Sequence, residues 1–192
     1  MYIYHNTDSL SLISILNDGK LKTGKSIGVN GFNIHDKLQK YIYFNMIKKK
    51  DFKYLFPHSI IFPSSILSEN RFYINPTAQI GKIKEETLKY KKNTDINIIN
   101  LTLKLLFKYI MDYLKKKKIT KYKKYIYHSI YHEIFIDKEL DLKNMEYITL
   151  ETNMRDNDRI VIEKIKNFYP NTKIVYVPNV PNVPETINKI YL

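Results

Sequence analysis

Glu133 is the titratable residue whose surroundings most ask for a reason. It stands between His132 and the run Ile134-Phe135-Ile136, and a carboxylate entering an apolar strand is costly unless it is paired or at work. His5 closes the short β-prone run Tyr2-Ile3-Tyr4 and is followed by Asn6 and Thr7, three polar side chains at one strand end. Tyr43, one of 17 tyrosines, sits inside the aromatic and β-branched run Tyr41-Ile42-Tyr43-Phe44. Cysteine is absent, which excludes disulfides, thiolate metal sites and Cys nucleophiles. His128 and His132 have i, i+4 spacing, but the Tyr and Ile around them argue for a strand, on which they lie two repeats apart and too far for one ion. No metal site is expected. The sequence also has no Walker-type glycine loop and no G-x-S-x-G elbow.

The densest positive charge is the block 115–124, interleaved with Tyr113, Tyr122 and Tyr125. It reads either as the solvated end of a helix, where cations suit the dipole, or as a patch that meets phosphates and stacks on bases. Lys117 and Lys121 stand within it and are the candidates for such phosphate contacts. The chain as a whole carries 32 Lys and Arg against 19 Asp and Glu, a formal net charge of +13. Acidic proteins, nucleic acid and anionic lipid are the favoured partners of such a surface. All but three of the cations are lysines, in a sequence also heavy in Ile, Asn and Tyr, which is what AT-rich codons would write. Lysine is the poorer residue for bidentate recognition of phosphate or guanine.

The elements that must position these residues read as follows. Tyr2 to His5 is a strand, Asp8 or Ser9 caps a helix through Leu12, Ile13 and Leu16, and Gly19 ends it. Residues 20–39, with Gly24, Gly28, Asn30 and Gly31, form a loop. Residues 41–44 and 58–62 are strands, and residues 75–94 a polar surface excursion. Leu101, Leu105, Tyr109 and Ile110, with Leu106 and Leu114 beside them, mark the longest amphipathic helix. Residues 134–136 and 147–150 are strands, Ile160, Ile162, Ile165 and Phe168 a late helix, and residues 173–177 a last strand before an extended, Pro-rich tail, 178–192. Segments between strands are often too short for crossover helices. A single domain over 1–192 of α+β class, with a mostly antiparallel sheet and about three helices, is expected. The opening residues lack a basic stretch followed by an apolar run, and no window reaches the roughly 18 to 20 apolar residues of a membrane span. The expectation is a soluble intracellular protein, without membrane contact.

Three places taken together resemble the ADP-ribosyltransferase superfamily. Tyr4-His5-Asn6-Thr7 followed by Leu12 to Gly19 resembles the family's opening strand and helix. Tyr41-Ile42-Tyr43-Phe44 is similar to the Gly-Ile-Tyr-Phe strand of the His-Tyr-Glu branch, the poly(ADP-ribose) polymerase-like and diphtheria-toxin-like members, in which the strand runs into a helix ending on a second tyrosine. Tyr54 falls there. Tyr131-His132-Glu133-Ile134-Phe135-Ile136 resembles the strand that carries the family's catalytic Glu. The three occur in family order across residues 2 to about 150. The sequence departs from the pattern at Asn6, where Gly is usual, and at Asp51, where many members have Ser.

The resemblance implies a fold of split antiparallel sheets flanking a cleft for NAD, which is consumed as a substrate. In the implied roles, His5 bonds the adenosine ribose, the Asn6 backbone and Thr7 meet the nicotinamide amide, and Tyr43 and Tyr54 sandwich the nicotinamide ring. Glu133 stabilises the cation formed as the glycosidic bond breaks, and residues 20–39 act as a lid. His132 would face the acceptor or pack into the sheet. The implied activity is mono-ADP-ribosylation of a macromolecule, nucleic acid ahead of protein. The competing expectation is a non-catalytic basic module that binds nucleic acid or an acidic protein on a degenerate transferase fold.

Overall fold

A computed structural model of the chain describes residues 1–24, 26, 40–75, 88–116 and 133–178. Lys117, Lys121, His128 and His132 lie outside these residues, as do most of the 20–39 loop and the tail from 179 onward.

Strand β1 (Tyr2–Asn6) alternates sides, Ile3 facing the main core and Tyr4 a smaller apolar cluster on the opposite face. Helix α1 (Ser9–Asp18) starts at Asp8, whose carboxylate accepts from the Ser11 backbone NH at 2.9 Å. Hydrogen bonds from the Ser11 hydroxyl and backbone hold that carboxyl below its ordinary value. The helix ends at Gly19, in the left-handed region at φ 68°, and its carbonyl accepts from Leu142 NH.

The remaining strands are β2 (Lys20–Leu21), β3 (Ile42–Ile47), β4 (Ser59–Pro63), β5 (Phe72–Asn75), β6 (Leu88–Tyr90), β7 (Glu133–Ile136), β8 (Leu140–Asp141), β9 (Tyr147–Glu151) and β10 (Lys173–Val177). Eight of them form one sheet in the order β10-β9-β4-β1-β3-β7-β5-β6, and β2 pairs with β8. Every pairing is antiparallel except β9 with β10, which are joined by helix α3 (Asp156–Phe168), the crossover a parallel pair needs. Among the described residues, three short 3-10 helices, Lys49–Tyr54, Ser64–Glu69 and Leu142–Asn144, lie in the connections.

Strand β3 divides the sheet. Its residues 45–47 pair with β1, from Tyr2↔Ile47 to Tyr4↔Asn45, and its residues 42–44 pair with β7. The two ladders part at the end of β1 that carries His5 and Asn6. The α+β class and the split antiparallel architecture expected from the sequence are thus both present, the split falling within one continuous sheet.

Helices α1, α2 (Ile96–Lys116) and α3 cover one face through Leu12, Leu16, Leu103, Val161 and Ile165. Burying each such side chain is worth about 1.5–3 kcal/mol. Helix α2 corrects an expectation. Leu101 and Leu105 are 58% and 59% exposed, and the residues turned inward are Ile99, Leu103 and Leu106. The helix carries two apolar stripes at helical spacing, and packing onto the Ser64–Glu69 segment selects the second. No helix among the described residues is long and apolar enough to cross a membrane.

Candidate active site

His5 is the last but one residue of β1, beyond the final β1–β3 ladder pair. There its imidazole takes over the connection. Nδ1 lies 2.9 Å from the Tyr43 carbonyl oxygen, and since a carbonyl only accepts, Nδ1 carries the proton and donates. Burial pushes the imidazole below its ordinary pKa of 6.5, against a smaller opposite effect of the Tyr43 bond. The neutral ring therefore keeps a lone pair on Nε2, an acceptor suited to a sugar hydroxyl. Its ring centroid is 5.9 Å from that of Phe44.

Tyr43 is directly opposite Phe135 on β7, and Phe135 opposite Tyr73 on β5. The Tyr43 and Phe135 rings meet edge to face, 5.1 Å between centroids and 88° between planes, a favourable quadrupole arrangement. Tyr41 packs 5.4 Å from Tyr73 and 5.7 Å from Phe135. At the edge of this aromatic group Arg71 forms an ion pair with Asp137, and Tyr73 Oη lies 3.5 Å from the same carboxylate. Glu133 opens β7 in register with Asn75, two residues before Phe135. By backbone register it takes the same parity as Phe135, the residue that meets Tyr43.

The other expected site residues stand close to β1 or follow β3. Asn6 is exposed and Thr7 half-buried at the strand end, just before the Asp8 cap. Tyr54 is the last residue of the 3-10 helix that follows β3, with Lys53 Nζ 5.3 Å above its ring. Asp51, in the first turn of the same helix, is only 8% exposed. Among the described residues no group of three or more His, Asp or Glu side chains could hold a metal ion.

One polar cluster escapes any reading of spacing. Ser59 Oγ shares its proton between Asn6 Oδ1 at 2.7 Å and the Phe56 carbonyl at 2.8 Å. Thr149 Oγ1 donates to the same carbonyl at 2.7 Å and accepts from Ser59 NH at 2.8 Å. His58, next along the chain, donates from Nε2 to Asp158 Oδ1 at 2.7 Å across 100 residues. Asp158 is fully buried in the first turn of α3, and its second oxygen accepts from Arg155 NH at 2.9 Å. No local signal announces these contacts, because each depends on β4, β9 and α3 meeting.

No protein-family model matches the chain, and no curated protein matches it in sequence. Solved structures do. DarT of Thermus sp. 2.9 in complex with NAD+ superposes with a TM-score of 0.56 at 12% identity, over 93% of this chain and 95% of that one. The same protein in complex with ADP-ribosylated ssDNA gives 0.54 at 13% identity, over 92% of each chain. DarTG of Thermosipho africanus in complex with ADP-ribose gives 0.51 at 13% identity, over 91% of this chain and 49% of that one. The chain has the fold of these proteins.

Proposed function

We propose that this protein is an NAD-dependent ADP-ribosyltransferase that modifies nucleic acid, with single-stranded DNA as the acceptor. The observation that carries the reading is the end-to-end likeness to DarT in complex with NAD+ and with ADP-ribosylated ssDNA, joined to a neutral His5 at the point where the sheet divides. The chain's cationic excess favours a polyanionic acceptor.

In this reading NAD lies where the β1 ladder parts from the β3–β7 ladder. Nε2 of His5 accepts from a hydroxyl of the adenosine ribose, while the Tyr43 carbonyl fixes the tautomer. The Asn6 backbone and Thr7 meet the carboxamide, and the rings of Tyr43 and Tyr54 bracket the positively charged nicotinamide. The bond between nicotinamide nitrogen and ribose C1′ breaks with its electron pair going to nicotinamide, which leaves neutral. Positive charge develops on the ribose, and the Glu133 carboxylate stabilises it. A preorganised charge of this kind is worth on the order of 10²–10³ in rate. A nucleophilic atom of the acceptor then bonds to C1′ and its proton passes to solvent. His132, Lys117 and Lys121 are assigned to the acceptor side.

The acceptor is tested with NAD labelled in its adenylate half, offered with single-stranded DNA, duplex DNA, RNA and protein in separate reactions. Label on single-stranded DNA is the expected result. Label on protein alone would overturn the choice of acceptor, and binding of DNA without any transfer would favour the non-catalytic basic module.

A further inference from the structure

His58 is one of two non-glycine residues among those described with positive φ, at 66°. A side chain held there costs on the order of 1 kcal/mol and persists only where surrounding contacts over-determine it. Here they are on the page. The His58 NH donates to the Thr149 carbonyl at 2.7 Å and its Nε2 donates to buried Asp158 at 2.7 Å. The segment so pinned supplies Ser59, whose Oγ donates to Asn6 Oδ1 and also meets the Phe56 carbonyl of the same segment. Asn6 follows His5 at the end of β1. Asn157, beside Asp158, reaches Ser9 Oγ at 3.3 Å, so the same turn of α3 also braces the start of α1.

We propose that His58 and Asp158 are positioning residues for NAD: their bond sets the 56–59 segment, and through Ser59 it sets the Asn6 end of β1 at which the dinucleotide is held. This rests on the NAD reading above and goes beyond it, because neither residue meets the substrate. The left-handed backbone is kept because it lets one residue give its NH to β9 and its side chain to α3 at once.

Two substitutions separate positioning from mere stability. His58→Gly adopts the left-handed backbone without strain but gives Asp158 nothing. His58→Gln keeps an NH donor at the reach of Nε2, the atom that meets Asp158. NAD affinity is measured by calorimetry on each folded protein, and KM and kcat for nicotinamide release are measured alongside. The proposal expects His58→Gly to raise the NAD Kd and KM about tenfold with a smaller change in kcat, and His58→Gln to recover most of the loss. An unchanged NAD Kd in His58→Gly overturns it, whatever happens to the melting temperature, as does equal loss in His58→Gln. Absence of NAD binding by the unsubstituted protein would instead overturn the functional reading and, with it, this one.

Discussion

Nδ1 of His5 donates to the carbonyl oxygen of Tyr43 at 2.9 Å, a side-chain bond between residues 38 apart that spans the place where β1 leaves β3. One hydrogen bond thus sets the tautomer of the imidazole and ties the strand of the expected ribose ligand to that of the expected nicotinamide platform. Burial, outweighing the opposite pull of that bond, makes protonation of His5 expensive.

A pH dependence follows from that burial. The folded imidazole titrates below the 6.5 of the unfolded chain. Above about pH 6.5 both states hold it neutral, so its contribution to stability is fully present. As pH falls through 6.5 toward the folded value, the unfolded chain takes a proton that the folded chain refuses, and stability declines. Thermal melts between about pH 5 and pH 7.5 should show this decline flattened in His5→Gln. Parallel curves for the two proteins would contradict it.

Gly19 tests the helix end. At φ 68° a β-carbon would meet Tyr169 Oη at 3.6 Å, ordinary contact, so space is not the obstacle. The backbone is. Gly19→Ala should destabilise by about 1 kcal/mol in urea unfolding and Gly19→Asn by less, because Asn is more at ease in the left-handed region.

The two stripes of α2 give opposite expectations for the same chemical change. Leu103 is fully buried and Leu101 is 58% exposed. Leu103→Ala should cost about 2–5 kcal/mol through lost burial and a cavity, and Leu101→Ala less than about 0.5 kcal/mol. Chemical unfolding of the pair checks the assignment of the inner face.

Asp8→Ala should weaken α1 at its start. The carboxylate accepts from both the NH and the hydroxyl of Ser11, and loss of such a cap costs about 1 kcal/mol. Asp8 also follows Thr7, so circular dichroism of α1 and the NAD Kd should move together in this variant.

Local signals were legible, and contacts between distant elements were not. Asp8 and Gly19 marked the ends of α1, the 41–44 run marked β3, and residues 134–136 and 173–177 marked β7 and β10, because caps and β-branched runs act through neighbours in sequence. Tyr54 ends the 3-10 helix Lys49–Tyr54. The inner face of α2 was misread because Ile98, Leu101 and Leu105 repeat as regularly as Ile99, Leu103 and Leu106, and only the segment packed against the helix decides between them. Strand β5 was missed because Phe72 to Asn75 is four residues long and gains its apolar setting from β7. The His58–Asp158 bond depends on a 100-residue closure that no window reveals.

The most direct test is release of nicotinamide from NAD by the purified protein in the presence of single-stranded DNA, beside Glu133→Ala. The account predicts release and a DNA adduct with the unsubstituted protein. It predicts a loss of at least about 10²-fold in Glu133→Ala, with fold and NAD binding kept. Release that survives the substitution undiminished, or none at all from a folded protein that binds NAD, would contradict it.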